Sequence, residues 1–342
     1  MLASPLQYII KMTLMLLGKV YAFFVGIYLN LLERKAIKLP VPVISVGNIS
    51  MGGTGKTPVC QFLADYFARK VKRSVILTRG YKSRPGNLPH LVSINDDPKL
   101  CGDEPLLLAR SLNGKADIVV DPNRSRSAVW AMNNLNPDVF ILDDGFQHVR
   151  LKRDRNLVIL TPDDLESGWD RVFPWGAWRE SDLGLERADL FLINLWGRNI
   201  KEIKQLVVQR AALGQRPVYW MDVRIEKLKN IGSENAVRDI SKRPYILVTG
   251  VANPQKIVLS IRDFLGYEPI IHLPFPDHHD YGQESVKAII ALAEEACVND
   301  IICTSKDAVK LNPIPGLRVW ETKITVRIMD GMEQEFLDWI NI

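Results

Sequence analysis

Residues 43–57 read VISVGNISMGGTGKT, and this stretch decides what kind of sheet the chain builds. Val43 to Val46 are β-branched or small, as a parallel strand buried on both faces requires. Ser50, Met51, Gly52, Gly53, Thr54 and Gly55 then make a glycine-rich turn, and Lys56-Thr57 opens a helical pattern running to Lys70. A strand, a glycine turn and a helix start in that order are the setting in which GKT binds phosphate. Glycines let backbone N–H groups curl around an anion, the helix start adds a positive dipole end, and Lys56 adds a full charge. Thr57 would put its hydroxyl on Mg²⁺. The usual GxxxxGK[ST] asks for glycine where this chain has Ser50, so an ordinary glycine-rich loop is the competing reading.

Outward from that turn, four short apolar strands recur with helical patterns between them: Val43–Val46, Ser74–Leu77, Asp117–Val120 and Asp138–Leu142. Alternation of this kind predicts an α/β fold with a P-loop NTPase-like parallel sheet. After the strands come, in turn, the phosphate loop, TRGYK (78–82), DPNR (121–124) and DDGFQH (143–148). All four polar clusters fall at carboxyl ends of strands, the rim where open α/β sheets bind ligands. Asp143-Asp144 closes the run VFIL in a Walker B arrangement and is placed to hold Mg²⁺ beside Lys56 and Thr57, although Asp-Gly is also a common turn pair. Arg79 and Arg124 each offer a forked guanidinium to phosphate, or a surface ion pair. Asp103, just before a Pro-containing first turn, reads locally as a helix cap.

The 342 residues are 47% hydrophobic and 24% charged, which is the composition of a folded globular protein long enough for two domains. A net charge of +5 suits anionic ligands or an anionic membrane surface without demanding either, and nothing calls for nucleic acid or an obligate protein partner. Four cysteines, with no CxxC, read as buried thiols in a reducing compartment.

Tyr8 to Leu32 is strongly apolar and is followed by Arg34, Lys35 and Lys38. Its uncharged part, Val20 to Leu32, spans about 20 Å as a helix, short of a ~30 Å bilayer core. Lys11 and Lys19 fall about 80° apart around such a helix, which allows it to lie in the interface with its lysines towards the headgroups. A core helix of the soluble domain is the alternative. The basic flank would keep the remainder of the chain cytoplasmic.

From Leu157 the texture changes to a loop rich in Trp, Pro and Gly (162–180), then a second series of strands from Ala188 to Trp320. The tryptophans of that loop could face a membrane or amphiphilic substrate, or pack a domain join. The expected division is an N-terminal helix over 1–35, a P-loop domain over 36–155, and a smaller α/β domain over 156–342 closing the cleft. Its last helical pattern (332–340) could return to either body. PFPDHHDY (274–281) contributes His278 and His279 after a strand, where a capped turn and a tuned imidazole are both admissible.

Together these pieces resemble the tetraacyldisaccharide 4′-kinase (lipid A 4′-kinase) family. The resemblance rests on GNISMGGTGKTP (47–58), TRGYK, GDEPLLLA (102–109), the Arg124 region, DDGFQH, WRE (178–180), FPDHHDY (275–281) and TSKDAVKL (304–311), in order and over most of the chain. That family also lacks the first glycine of the phosphate loop, which accounts for Ser50. The resemblance implies an inner-membrane enzyme, peripheral or held by one helix. It would transfer the γ-phosphate of ATP to the 4′-hydroxyl of a tetraacylated glucosamine disaccharide 1-phosphate, giving the 1,4′-bisphosphate, with Mg²⁺. It makes Asp103 and His278 an acid–base pair and puts Lys56 and Thr57 at the nucleotide. It assigns Asp143, Asp144 and Glu180 to the metal, and sets the substrate beside Arg79, Arg124, Gln147, His148 and Arg179. The chain departs from the family pattern at Trp178 and Ser181, where Leu and Pro are usual, and at Ser305, where Glu is usual. Two other classes share fragments of the pattern: Mn²⁺ phosphoesterases carrying Asp-His-His, and membrane-targeting ATPases with a deviant phosphate loop.

Overall fold

A computed structural model describes residues 5–342 apart from 82, 215 and 234, so Lys82 of TRGYK lies outside the described residues. In chain order the strands are β1 (Val43–Asn48), β2 (Ser74–Thr78), β3 (His90–Leu91), β4 (Ala116–Val120), β5 (Val139–Asp143), β6 (Arg155–Leu160), β7 (Leu190–Asn194), β8 (Val218–Asn230), β9 (Ala236–Val237), β10 (Tyr245–Thr249), β11 (Ile271–Pro274), β12 (Asp300–Cys303) and β13 (Arg318–Ile328). The helices are α1 (Pro5–Glu33), α2 (Lys56–Arg69), α3 (Pro98–Cys101), α4 (Asp103–Ser111), α5 (Arg124–Leu135), α6 (Pro162–Leu165), α7 (Ile200–Val208), α8 (Pro254–Leu265), α9 (Gln283–Glu295), α10 (Ser305–Ala308) and α11 (Glu333–Ile340).

The strands form one sheet in the order β11-β10-β12-β13-β8-β7-β6-β1-β5-β2-β4-β3, with β9 beside β8. All six residues of β1 are buried, and it pairs in parallel with β5 on one side and β6 on the other. A strand covered on both faces has no place for alternating polar residues, which is why it reads as a continuous apolar run. Two parallel sets of strands are joined by a long antiparallel ribbon, in which Met221–Asn230 of β8 pairs with Trp320–Ile328 of β13. The short apolar starts of both strands were legible, and their alternating continuations (DVRIEKLKN and ETKITVRI) carry the ribbon.

The expected break at 155/156 falls where β6 begins, and β6 pairs directly with the strand that feeds the phosphate loop. One core runs across that point: Val46, Leu63, Phe67, Leu106 and Ile141 pack with Leu157, Leu192, Met221, Phe336 and Ile340. The separate cores beyond it gather Val248, Ile289, Ile301 and Val319, and Leu228, Tyr245, Leu247 and Ile302. The ribbon contributes residues to the cores on both sides of it, and α11 packs on the first of them. Tyr66 Oη donates to the Leu337 carbonyl at 3.5 Å and Arg155 Nε to that of Trp339 at 3.0 Å.

α1 is no core helix. It is long and apolar enough to cross a membrane, and 11% of its most apolar window is buried. Gly18, Ala22 and Leu29 face the protein, while Leu16, Val20, Phe23, Phe24, Ile27, Tyr28 and Leu31 are exposed. Its lysines turn to the Trp-rich loop: Lys11 Nζ lies 5.5 Å from the Trp175 ring centre, and Lys19 acts electrostatically on Asp170. Gly18 is required by closeness, since a Cβ there would stand 2.8 Å from the Val172 carbonyl oxygen. The same loop runs on to the phosphate loop, with Trp178 fully buried and its Nε1 donating to Asp164 at 3.0 Å.

Candidate active site

The phosphate loop is held from two sides. Met51 N donates to the Ala177 carbonyl at 2.7 Å, and Arg179 N to that of Ile49 at 2.9 Å. Asn194 Nδ2, from the end of β7, donates to the Thr54 carbonyl at 3.0 Å. Gly55 precedes α2 at φ 99, a region that L-residues with a Cβ avoid. Lys56 Nζ donates to Asn48 Oδ1 at 2.9 Å and sits 3.5 Å from Asp144 Oδ1. Phosphate loop and acid pair thus meet at one point. Thr57 occupies the second position of α2, and the buried Thr54 hydroxyl has no partner among the described residues.

The two acids differ by environment. Asp143 is buried at the end of β5, where it accepts from Thr78 Oγ1 at 3.0 Å. Burial, then the charges of Glu104 and Asp144, push its carboxyl up to about 6. Burial also disfavours charge on Asp144, but Lys56 and Arg179 outweigh it and hold that carboxyl below the usual range. Arg179 Nη1 donates to both Asp144 oxygens and to Gln147 Oε1 at 3.0 Å. Gln147 Nε2 in turn donates to Glu180 Oε1 at 3.0 Å. Arg187 takes the other Glu180 oxygen at 2.6 Å, so Glu180 would have to exchange partners to ligate a metal.

Arg124 is buried and donates to the carbonyls of Asp121 and Asp143 at 3.2 Å each. Burial brings its guanidinium down to about 10. Those contacts tie the ends of β4 and β5 beneath the acids, a different use from the phosphate grip expected of an exposed arginine. His148 lies within the fields of Arg124, Asp144, Arg79 and Arg153, and burial followed by Arg124 lowers its imidazole to about 3. Arg79 is exposed above it.

Asp103 is the first residue of α4, which Gly102 caps, so its side chain is available for another task. Its Oδ2 lies 2.9 Å from His278 Nδ1 and 2.8 Å from Lys310 Nζ. Residues 175 positions apart thereby meet across the two bodies. Glu104, next in α4, acts electrostatically on Asp143, and α4 packs against α2, the helix that the phosphate loop opens.

The description "Tetraacyldisaccharide-1-P 4'-kinase" belongs to the family model that matches residues 10–341. The chain belongs to that family. The Oleidesulfovibrio alaskensis tetraacyldisaccharide 4'-kinase is 42% identical over 281 residues, covering 82% of this chain and 77% of the relative. That of Bdellovibrio bacteriovorus is 32% identical, covering 91% and 93%. A crystal structure of LpxK from Aquifex aeolicus in complex with ATP aligns at TM-score 0.76 with 30% identity, covering 96% of this chain and 98% of that one. As a member of the tetraacyldisaccharide 4′-kinase family, this chain is an enzyme, a lipid A 4′-kinase.

Of the residues expected at the site, Lys56, Asp143, Asp144, Gln147, Arg179 and Glu180 form one connected cluster, and Asp103 with His278 a second beside it. His278 lies between Asp103 and Asp277, with Lys306 on Asp277, and among the described residues no three His, Cys, Asp or Glu are placed to hold a metal ion, as the phosphoesterase reading would need. Sequence reasoning passed over Asn48, Lys306, Lys310 and Arg187. Lys306 and Lys310 lie in TSKDAVKL, whose charged groups were visible but had no partner in sequence. Asn48 gave no signal beyond its place at the end of an apolar strand.

Proposed function

We propose that this kinase transfers the γ-phosphate of ATP to the 4′-hydroxyl of tetraacyldisaccharide 1-phosphate, giving the 1,4′-bisphosphate, at the inner-membrane surface. The observation that carries the reading is Lys56 Nζ 3.5 Å from Asp144, a phosphate-loop lysine beside a pair of strand-end acids. Backbone N–H groups of Gly52–Gly55 and the Lys56 ammonium cradle the terminal phosphates. Mg²⁺ fits the donor set of a hydroxyl and two carboxylates, because Asp143 is a buried anion whose ionisation the protein alone does not favour. Thr57, Asp143 and Asp144 would hold it, with Glu180 recruited from Arg187, and when bound it neutralises charge on the phosphates. Asp103 and His278 receive the hydroxyl proton as the new bond forms. Arg79, Gln147, His148 and Arg179 line the acceptor's approach, and Arg124 supports them from below.

The exposed apolar face of α1, followed by Arg34 and Lys35, supports attachment to an anionic lipid surface. Incubation with γ-labelled ATP and the acylated disaccharide, followed by chromatography, tests the reading. Label in the lipid fraction is the expected result, and label appearing only as free phosphate overturns it. Asp103→Ala and His278→Ala are expected to lower turnover by roughly 10²–10⁴-fold with ATP affinity retained.

A further inference from the structure

β1 ends on Asn48, a fully buried amide at the mouth of the phosphate loop. Its two polar side-chain atoms serve opposite partners. Nδ2 donates to the Ser50 carbonyl at 2.6 Å, and Oδ1 accepts from Lys56 Nζ at 2.9 Å. A carbonyl only accepts and an ammonium only donates, so no other orientation of the amide satisfies both. The main chain of the same residue is fixed from another side, where Gln147 Nε2 donates to the Asn48 carbonyl at 3.2 Å. Gly47 permits that approach, since a Cβ there would stand 2.5 Å from the main-chain nitrogen of Phe146.

The clamp on Ser50 bears on the glycine that the loop lacks. Ser50 pairs with Trp178 as a strand residue would, and the left-handed positions of the loop are Gly52 and Gly55, at φ 117 and 99. A paired, extended residue has no need of glycine's freedom. The chain therefore starts to curl only after Ser50, and Asn48 holds the point where it leaves the sheet.

Lys56 Nζ has two further neighbours, the Gly52 carbonyl and Asp144 Oδ1, each at 3.5 Å and beyond ordinary hydrogen-bond length. Its close partner is thus a neutral amide, while Asp144 is occupied by Arg179. A neutral acceptor orients an ammonium without cancelling its charge. A direct Lys56–Asp144 pair would cancel much of the charge that phosphates are to meet. We propose that Asn48 is a positioning residue of the phosphoryl transfer, holding Lys56 off Asp144 so that its ammonium is left to the nucleotide. This assignment rests on the reading of Lys56 as a phosphate-loop lysine.

Asn48→Leu keeps the branched shape and removes both contacts. Asn48→Asp also loses the Ser50 clamp, but it keeps an acceptor for Lys56 and makes it anionic. Loss of the clamp is common to the two, so the difference between them reports the lysine contact. Binding of a non-hydrolysable ATP analogue is measured by calorimetry, and kcat by transfer of label from ATP to the acylated disaccharide. Asn48→Leu is expected to lower kcat roughly 10- to 100-fold, the scale of a misplaced catalytic group, with a smaller loss of analogue affinity. Asn48→Asp is expected to bind the analogue about tenfold more weakly than Asn48→Leu, because its carboxylate engages the lysine and repels phosphate. A purely structural clamp would lower the stability of both variants and leave their affinities equal. Equal affinities, or wild-type kcat in Asn48→Leu, overturn the proposal. A further measurement needs no change at residue 48. In ¹⁵N-lysine-labelled protein without nucleotide, the Lys56 ammonium, assigned by its loss in Lys56→Arg, should exchange slowly enough to be seen and should shift when the analogue binds. A Lys56 signal averaged with solvent refutes the contact. If wild-type protein binds the analogue and leaves the lipid unlabelled, the acceptor reading falls, while the affinity comparison still decides the role of Asn48.

Discussion

Gly55 is where one methyl group would be felt most directly at the phosphate loop. Its φ of 99 is strained for any side chain, and a Cβ would come within 2.9 Å of Asn194 Nδ2 and 3.2 Å of Met221 Cε. A left-handed L-residue costs about 1–2 kcal/mol before those contacts are counted. Gly55→Ala is therefore expected to weaken ATP binding about tenfold or more, measured by calorimetry, with the fold retained. At the same scale, Asp103 shows why a local reading of sequence falls short. A carboxylate before a Pro-containing turn looks like a helix cap, and only a histidine 175 positions away gives it other work. Lys56, Thr57, Asp143 and Asp144 were legible because strand, loop and helix put them together within short spans. Lys310 was not, because its partner arrives through the tertiary fold.

Among elements, β12 owes its anchorage to Asp300. That carboxylate accepts from Arg318 Nη2 at 2.6 Å, Arg243 Nε at 2.9 Å and Trp320 Nε1 at 2.7 Å. Burial raises its pKa, but those hydrogen bonds prevail and bring it to about 2. The folded value lies below the unfolded one of about 3.9, so the stabilisation, about 2 kcal/mol, is present above pH 4 and lost as pH falls through 2. Acid titration of stability should show that increment in the wild type and lack it in Asp300→Asn. α11 offers a second case. Phe336 is fully buried, with its ring 5.4 Å from that of Tyr219, and Phe336→Ala should cost about 3–5 kcal/mol in urea unfolding. The helix itself was readable from its period, but the body it joins was not, since an amphipathic face does not name its partner. The parallel strands were readable for the opposite reason: burial on both faces leaves mostly apolar residues in them, with polar ones chiefly at their ends. The ribbon of β8 and β13 hid its length because its alternation of polar and apolar residues resembles loop composition.

Over the whole molecule, the exposed face of α1 has no cover from the other described residues. Flotation with anionic vesicles should recover the full chain with the lipid, and deletion of residues 1–33 should leave most of it in the soluble fraction. The two bodies meet through the ribbon and through Asp103 with His278 and Lys310, so the hydrogen bond between Asp103 and His278 exists only when they are together.

The Trp-rich loop receives Gly18 of α1 against Val172, and six residues later it pairs with the phosphate loop through Trp178 and Ser50. The seat of the apolar helix and the phosphate loop are thus separated by half a dozen peptide units. Amide exchange at Met51 and Arg179 should accordingly quicken when α1 is removed, even with no lipid in the tube. Detergents that pry the helix from its seat would then blunt nucleotide affinity as well, making the choice of solubilising agent a biochemical variable for this enzyme.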